Sequence, residues 1–226
     1  MRVYYFTGAQ FALSNLALRR IKISRFEDLN DPFELLAVNL ADKKHRVAFR
    51  AIKDRINKTK GLICFSRAWS NPVLWGHYAE KHTGICMGFD VPERRLTPAV
   101  YANHLAKFKP DPKTKGSTEK FINRLLQTKF SDWQYEDEMR LFVTLNHDTV
   151  ESGKYFYPFS KTLILREIIL GPRCELPIQS LRKIVADSSP RVFVLKSRIA
   201  FTKFKVVENK AASRGPRTDR TSDKPW

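Results

Sequence analysis

Two glutamates and an arginine interrupt a strand-like stretch, SDWQYEDEMRLFVTL, at residues 131–145. Side chains on a β-strand alternate between its two faces. A strand here would therefore have one largely apolar, aromatic-rich face. The opposite face would carry Gln134, Glu136, Glu138 and Arg140. This second face is either a charge ladder in contact with solvent or the floor of a site.

Two carboxylates on one strand face would lie about 6.5–7 Å apart, from the rise per residue of a strand. That spacing suits a pair in which one acid orients a substrate hydroxyl and the other assists proton transfer. Arg140 would set their ionisation state or hold a phosphate. Two structural alternatives remain open: a surface ladder, or a helical turn that pairs Glu136 with Arg140.

A second cluster lies in NPVLWGHYAEKHTG, at residues 71–84. The pattern predicts a helix from Pro72 to about His82, on which Trp75, Tyr78 and His82 share one stripe and His77 lies opposite. The aromatic residues are either core residues or part of a site. His82 suits the end of a helix, where it interacts with the helix dipole. The two histidines do not share a helix face, so we expect no metal site here.

Polar residues also occur near the ends of two predicted strands. Tyr5 lies in VYYFT, and Ser66 ends the apolar run GLICFS. Residues at such positions often line a ligand crevice, although ordinary turns need polar residues as well. The chain has no GxSxG, P-loop, GxGxxG or HExxH motif, which removes support for serine hydrolases, kinases and dehydrogenases.

The formal charge of +18 and a pI near 10.0 predict a polyanionic partner, either nucleic acid or a nucleotide. Residues 210–226 hold five Lys or Arg and two Asp or Glu, so they contribute +3 and the rest of the chain +15. The positive charge is therefore distributed over the predicted folded part.

No run of 18 apolar residues exists, so we expect neither a membrane-spanning helix nor a membrane partner. Cys64, Cys86 and Cys174 are far apart and lie in apolar runs, a pattern typical of buried free thiols in a reducing compartment. We therefore predict a cytoplasmic protein. The sequence does not predict its oligomeric state.

The predicted elements give an α+β fold: a single mixed domain over residues 1–209, with a central, largely antiparallel or split sheet flanked by helices. Strands are predicted at 2–7, 61–66, 84–90, 133–145, 163–170 and within 192–207. Helices are predicted at 10–19, 42–59, 72–82, 118–129 and 178–185. Residues 107–115 are predicted as a charged loop, and residues 210–226 as a disordered basic tail.

Five blocks of the sequence resemble an uncharacterised bacterial family, a domain of unknown function. They are NDPFE (30–34), CFS (64–66), LWGHYAEKHTGICMGFD (74–90), WQYEDEMR (133–140) and EIILGPRC (167–174). The blocks occur in the order typical of that family and extend over most of residues 2–207.

More distantly, the arrangement resembles ADP-ribosyltransferase-type domains, which include enzymes that modify DNA and the related RNA 2′-phosphotransferases. The resemblance implies that Tyr5 holds the first-strand position, Ser66 the second, and Glu138 or Glu136 the catalytic position. It implies NAD as the cofactor, with no metal. In such domains the glutamate binds a ribose hydroxyl and stabilises an oxocarbenium-like transition state as nicotinamide leaves.

The remaining candidate cofactor-binding residues are Arg140, His77, Trp75 and Tyr78, as basic groups for a pyrophosphate or aromatic rings for stacking. The first hypothesis is thus an ADP-ribosyltransferase-like enzyme that uses NAD or a related nucleotide, in defence or as a toxin. One alternative is a non-catalytic nucleic-acid-binding module that contacts phosphates through residues 42–59 and 107–115. Another is a metal-dependent nuclease built on Glu136, Glu138 and a histidine.

Overall fold

The structure is a computed structural model that describes residues 1–107, 115–188 and 191–213. In these ranges the helices are α1 (Ala9–Ala17), α2 (Lys43–Thr59), α3 (Pro72–Tyr78), α4 (Lys115–Gln127), α5 (Ile178–Ser188) and α6 (Lys210–Ser213). The strands are β1 (Arg2–Thr7), β2 (Arg20–Ile23), β3 (Val38–Asn39), β4 (Lys60–Ser66), β5 (Ile85–Asp90), β6 (Thr97–Pro98), β7 (Val100–Ala102), β8 (Ala106–Lys107), β9 (Thr128–Phe130), β10 (Glu138–Thr144), β11 (Tyr155–Pro158), β12 (Ile164–Leu170), β13 (Phe193–Ile199) and β14 (Val206–Glu208).

The predicted fold class is confirmed: the fold is α+β, with one large and mostly antiparallel sheet. The contacts within the chain define two compact units. Unit 1 consists of Met1–Tyr5, Leu18–Ala68 and Phe89–Ile164, and unit 2 of Phe6–Ala17, Trp69–Gly88 and the chain from Leu165. The extent of the predicted domain, residues 1–209, stays a prediction.

In unit 1, strands β1, β4, β10 and β6 lie side by side in that order, and the neighbours are antiparallel. Strand β4 is the predicted apolar strand, and β10 pairs with it along its whole length. The side chain of Asp42 accepts a hydrogen bond from Lys44 N at 2.7 Å, which fixes the start of α2. Helices α2 and α4 bury apolar residues against this sheet and the adjoining loops: Phe26, Leu35, Ile56, Leu62 and Leu126 in one cluster, Val38, Phe49 and Leu125 in another.

In unit 2, strands β14, β13, β12 and β5 lie side by side, and β12 pairs with β13 in parallel. Helix α5 between these two strands is the crossover that a parallel pair requires. Gly84 precedes β5, where a Cβ atom would lie 2.3 Å from the carbonyl oxygen of Thr7. The close approach of the two backbones explains why glycine occupies this position.

The predicted strand over residues 133–145 is wrong in its first half. Residues Ser131–Glu136 form a 3₁₀ helix, Asp137 is left-handed with φ of 44°, and the strand begins at Glu138. The alternation of faces therefore holds only from Glu138 onward. Of the two alternatives left open for this face, the solvent-exposed ladder does not hold, because Glu136, Glu138 and Arg140 are buried.

Two other boundaries differ from prediction. Helix α3 starts as expected, with Asn71 accepting a hydrogen bond from Val73 N at 3.0 Å, but it ends at Tyr78. Glu80, Lys81 and His82 all have positive φ, which a helix cannot continue through. The tail was predicted to be disordered from Lys210, yet Lys210–Ser213 is helical.

Part of the prediction falls on residues that the structure does not describe. Most of the predicted loop, residues 108–114, and the rest of the predicted tail, residues 214–226, lie outside the described ranges. Within those ranges, no helix has both the length and the apolar character needed to span a membrane.

Candidate functional site

The site is built around Glu138, the first residue of β10. The strand register places Glu138 directly opposite Ser66 on β4, and Ser66 directly opposite Tyr4 on β1. Directly opposed residues in an antiparallel pair project from the same face of the sheet. Glu138 and Ser66 are therefore neighbours on one face, at the carboxyl end of β4. Both are almost fully buried.

Arg140 holds the Glu138 carboxylate from the same face of β10. Its Nε donates to Glu138 Oε1 and its Nη2 to Glu138 Oε2, both at 3.1 Å. The guanidinium also donates to both carboxylate oxygens of Glu34, at 3.1 and 2.5 Å, and to the carbonyl oxygen of Leu126 at 2.8 Å. These contacts use all five N–H groups of the arginine. Arg140 thus has no N–H left for a phosphate, and its effect is on ionisation.

Lys129 connects the second glutamate to the same cluster. Its ammonium group donates to Glu136 Oε2 and, at 3.2 Å, to Glu138 Oε2. The ammonium also lies 5.1 Å from the centre of the Trp133 ring, a cation–π distance. We call Glu34, Lys129, Glu136, Glu138 and Arg140 the charge cluster. It buries three acidic and two basic side chains in unit 1.

The local chain geometry explains how Glu34 and Glu136 reach the cluster. In the NDPFE block, Asp31 Oδ1 accepts a hydrogen bond from Phe33 N at 2.9 Å, and its carbonyl oxygen accepts one from Glu34 N at 3.1 Å. This tight turn directs Glu34 inward. Glu136 and Glu138 do not belong to one regular strand, because the left-handed Asp137 separates them. The turn at Asp137 places the Glu136 carboxylate against Lys129.

The environment separates the pKa values of the two glutamates that share Arg140. Burial opposes ionisation of Glu138, but the charges of Arg140 and Lys129 outweigh burial, so its pKa is lowered. At Glu34 burial is the larger effect, and its pKa is raised despite Arg140. Glu138 is therefore kept as a carboxylate in a buried position, which suits a residue that must stabilise developing positive charge.

Three further groups complete the surroundings of Glu138. The hydroxyl oxygen of Tyr101 accepts a hydrogen bond from Glu138 N at 2.9 Å. Cys64, which lies opposite Arg140, has a pKa raised well above its ordinary value by burial and by the Glu138 charge, so it stays a thiol. Ser66 Oγ donates to the carbonyl oxygen of Ala68, two residues further along the chain, at 3.0 Å.

A cavity of about 270 Å³ borders the charge cluster at Lys129. It is lined by Phe33, Ala37, Ala102, Asn103, His104, Leu105, Thr128, Lys129 and Phe130. The rings of Phe33 and Phe130 lie 6.3 Å apart, and both are exposed. An apolar cavity with a few polar groups is the usual form of a small-molecule site.

The other predicted site residues are not members of the charge cluster. In unit 1, Tyr5 lies edge-on to Phe65 at 6.3 Å, and burial raises its pKa to about 12. Phe65 and Ser66 are adjacent on β4, so their side chains project from opposite faces. The Tyr5 ring therefore lies on the face of the sheet opposite to Glu138, and the residue aligned with Ser66 is Tyr4.

The remaining candidates belong to unit 2. Trp75 is fully buried, its Nε1 donates to Trp69 O at 2.6 Å, and Phe6 lies perpendicular to it at 5.2 Å. These contacts are those of a core residue. His77 is exposed and lies edge-on to the half-buried Tyr78 at 6.0 Å. The pKa of His82 is lowered by burial and by Arg173.

No group of three or more His, Cys, Asp or Glu side chains in the described ranges is arranged to hold a metal ion. The carboxylates of Glu136 and Glu138 are instead contacted by Lys129 and Arg140. These contacts do not resemble the ligand set that the nuclease hypothesis requires.

One comparison with known proteins concerns this region directly. A family model described as "Protein of unknown function (DUF2971)" matches residues 74–141. The matched stretch runs from α3 to β10 and includes Trp75, His77, Tyr78, Glu136, Glu138 and Arg140. Neither the curated proteins nor the solved structures include a significant match. The resemblance to a domain of unknown function is confirmed for this stretch, whereas the ADP-ribosyltransferase resemblance stays a prediction.

Sequence reasoning missed Glu34, Lys129 and the cavity residues. Glu34 had a usable signal, since the NDPFE segment was one of the five blocks on which the predicted resemblance rested, and its glutamate had no assigned role. Lys129 had none, because it was the last residue of the predicted helix 118–129, where a lysine is ordinarily a surface residue. Its partners, Glu136 and Glu138, can be identified only from the three-dimensional structure.

Proposed function

We propose that the protein is an ADP-ribosyltransferase-like enzyme that uses NAD or a related nucleotide, with Glu138 as its essential acid. The observation that carries the proposal is the strand register of unit 1. The three strands that the resemblance singles out, β1, β4 and β10, are consecutive neighbours, and Tyr4, Ser66 and Glu138 lie in one row across them. Nothing in the sequence required these three distant segments to pair in this register.

The chemistry assigned to Glu138 follows from its charge. In the proposed reaction the bond between ribose C1′ and the nicotinamide nitrogen breaks, and an oxygen or nitrogen of the acceptor bonds to C1′. Nicotinamide leaves with the bonding electron pair, and the acceptor loses one proton. Positive charge develops on the ribose, and a fixed carboxylate nearby stabilises it. Glu138 is favoured over Glu136 because it is the glutamate opposite Ser66.

The cavity beside Lys129 is the proposed entrance for the nucleotide. Phe33 and Phe130 offer aromatic faces for a nicotinamide or adenine ring, and the polar side chains of His104 and Asn103 also line the cavity. Glu138 is only 3% exposed, so the ribose reaches it only after neighbouring side chains move. Binding should therefore be slower than diffusion allows.

The test is nicotinamide release from NAD by the wild type, Glu138→Gln and Glu34→Gln. Both glutamines replace a buried glutamate paired with Arg140, so both variants lose part of the cluster. We expect Glu138→Gln to lose at least 100-fold in kcat, consistent with the effect of removing an electrostatic stabiliser. Glu34→Gln should keep most of the activity per folded molecule. Equal losses in both variants, or no release by the wild type, would contradict the proposal.

A second candidate function, a non-catalytic nucleic-acid-binding module, is favoured by one feature of α2. Its exposed residues Lys43, Lys44, Arg50, Arg55 and Lys58 lie within an arc of about 140°, opposite the buried Phe49 and Ile56. Asp54 is the acidic residue within this arc. A basic helix face of this kind suits contacts to phosphates.

The module is distinguished from the enzyme by a paired measurement. Under this second candidate, Arg50→Gln combined with Arg55→Gln weakens binding to a DNA duplex and lowers its salt dependence. Glu138→Gln leaves that binding unchanged, and the wild type releases no nicotinamide. Duplex affinity that is the same with and without the two arginines would remove this candidate.

A further inference from the structure

The β13–β14 hairpin in unit 2 exposes two phenylalanines to an unusual extent. Phe201 is 89% exposed and Phe204 is 98% exposed, both in the connection formed by residues 200–205. Exposed aromatic rings cost free energy in water, so such rings commonly mark an interaction surface. A depression of about 360 Å³ adjoins them, lined by residues 199–205 together with Pro72.

The hairpin that carries these rings is anchored by strand pairing, by a buried side chain and by backbone hydrogen bonds. Strand β14 pairs with β13 through Ile199 and Val206, and Val206 is fully buried. Val206 N donates to Ser70 O at 2.8 Å, and Ala200 N donates to Lys205 O at 2.9 Å across the turn. The rings are therefore presented by an anchored hairpin, which reduces the ordering cost of binding a partner.

Positive charge accompanies the rings. Arg198, Lys203 and Lys205 lie within residues 198–205, which contain no acidic residue. The guanidinium of Arg198 lies 4.4 Å from the centre of the Phe201 ring, a cation–π stack. Both lysines are exposed. Aromatic faces beside cations form the usual platform for single-stranded nucleic acid, where bases stack on rings and phosphates contact the cations.

We propose that this hairpin binds single-stranded nucleic acid, with bases stacked on Phe201 and Phe204 and phosphates held by Arg198, Lys203 and Lys205. A duplex would not fit the same surface, because its base faces are already stacked. An anionic membrane is a poorer match, since inserting Phe201 would take the stacked Arg198 guanidinium into hydrocarbon, which is costly. The proposed binding residues belong to unit 2, whereas α2 belongs to unit 1, and the proposal does not depend on the transferase activity.

The test is fluorescence anisotropy of a labelled single-stranded oligonucleotide, with a duplex of equal length as competitor, over a range of salt concentrations. We expect Phe201→Ala combined with Phe204→Ala to weaken single-strand binding by about tenfold or more. Replacing both rings by Trp should retain the affinity. Phe193→Ala is the matched control, because Phe193 is an exposed ring of the same unit that does not line the depression.

The charges and the alternative partners are tested in the same assay. Lys203→Gln with Lys205→Gln should lower the slope of log K against log salt by about 1.4, since each single-strand phosphate contact contributes about 0.7. Unchanged single-strand binding in the double Phe→Ala variant would overturn the proposal. The proposal would also be overturned if the double Phe→Ala variant lost binding to anionic lipid vesicles but kept its binding to the oligonucleotide. If only the variant with Arg50→Gln and Arg55→Gln lost oligonucleotide binding, the nucleic-acid site would be α2 and not the hairpin.

Nicotinamide release separates this inference from the transferase proposal. The double Phe→Ala variant should release nicotinamide from free NAD at the wild-type rate, whatever its oligonucleotide affinity. Glu138→Gln should bind oligonucleotide as the wild type does. Each proposal can therefore fail without the other.

Discussion

Charged side chains usually lie at the surface of a protein and phenylalanines inside it. The charge cluster of unit 1 departs from the first rule, and the β13–β14 hairpin of unit 2 departs from the second. In the cluster, five charged residues lie inside the protein. On the hairpin, two phenylalanines lie almost completely in solvent. Both departures are costly in isolation.

The two regions differ in how that cost is met. Each charge of the cluster has opposite charges within the same unit, and Arg140 alone makes five hydrogen bonds. On the hairpin, Phe201 is covered on one side by Arg198, and Phe204 remains 98% exposed. The charges of the cluster are paired with one another, so they stabilise the fold as well as any function, and matched variants are needed to separate the two roles. The rings of the hairpin stay almost fully exposed in the described part of the chain, which indicates a binding partner.

The largest expected effect is that of Arg140→Met. The variant leaves Glu34 and Glu138 buried without their guanidinium, which should lower the free energy of unfolding by about 3–5 kcal/mol. Urea denaturation measures this change. Arg25→Met is the control, because Arg25 pairs with Glu27 and Asp28 near the surface and should cost less than about 1 kcal/mol. Similar losses of unfolding free energy in Arg140→Met and Arg25→Met would mean that Arg140 does not stabilise the buried carboxylates of the cluster.

The next effect is a pair of opposite pH trends. The lowered pKa of Glu138 means that its carboxylate stabilises the fold above the ordinary value of 4.5, and that this contribution is lost as pH falls through the folded-state pKa. The stability gap between the wild type and Glu138→Gln should be about 3 kcal/mol at neutral pH and shrink in acid.

Glu34 should behave in the opposite way. Its pKa is raised, so wild-type stability falls as pH rises from 4.5 through the folded-state pKa of Glu34. The gap between the wild type and Glu34→Gln should therefore shrink as pH rises. Urea denaturation at a series of pH values measures both gaps. Parallel trends in the two variants would refute the assigned ionisation states.

A smaller effect is expected for Tyr101→Phe. The change removes the acceptor of the Glu138 backbone N–H, which should cost about 1–2 kcal/mol because the donor is buried. Tyr157→Phe is a suitable comparison, since the Tyr157 hydroxyl lies 3.5 Å from Thr162 Oγ1, a weak contact. Thermal unfolding compares the two variants, and a smaller loss for Tyr101→Phe would be the contrary result.

The smallest effect belongs to the hairpin. Phe201→Ala and Phe204→Ala should each change the free energy of unfolding by less than about 0.5 kcal/mol, because both rings are almost fully exposed. Phe65→Ala, which removes a buried ring of β4, should cost about 3–5 kcal/mol. A large loss for either hairpin variant would show that its ring stabilises the fold rather than meeting a partner.

The sequence predicted those parts of the fold that depend on local chemistry. The starts of α2 and α3 were predictable because Asp42 and Asn71 are good N-caps. The end of α3 was not, because the chain turns through three consecutive left-handed residues, Glu80–His82, none of which is glycine. Only tertiary contacts can hold such residues there.

The charge cluster illustrates the same limit. Glu138 and Arg140 were correctly predicted to share a face, since alternation holds along β10. Glu34 lies 106 residues from Arg140 in the chain, so no periodicity could reveal their pairing. The exposure of the hairpin phenylalanines was also unpredictable, because IAFTKFKV has the composition of an ordinary strand.

The central claim is that the row containing Ser66 and Glu138 is a nucleotide site. The most direct test is thermal unfolding of the wild type, Glu34→Gln and Glu138→Gln over a titration with NAD and with ADP-ribose. A ligand that binds only the folded state stabilises it by about 2.7 kcal/mol at 100 times its Kd. The account predicts that NAD raises the Tm of the wild type and of Glu34→Gln, with a clearly smaller rise in Glu138→Gln. No rise in the wild type, or equal rises in all three proteins, would contradict it.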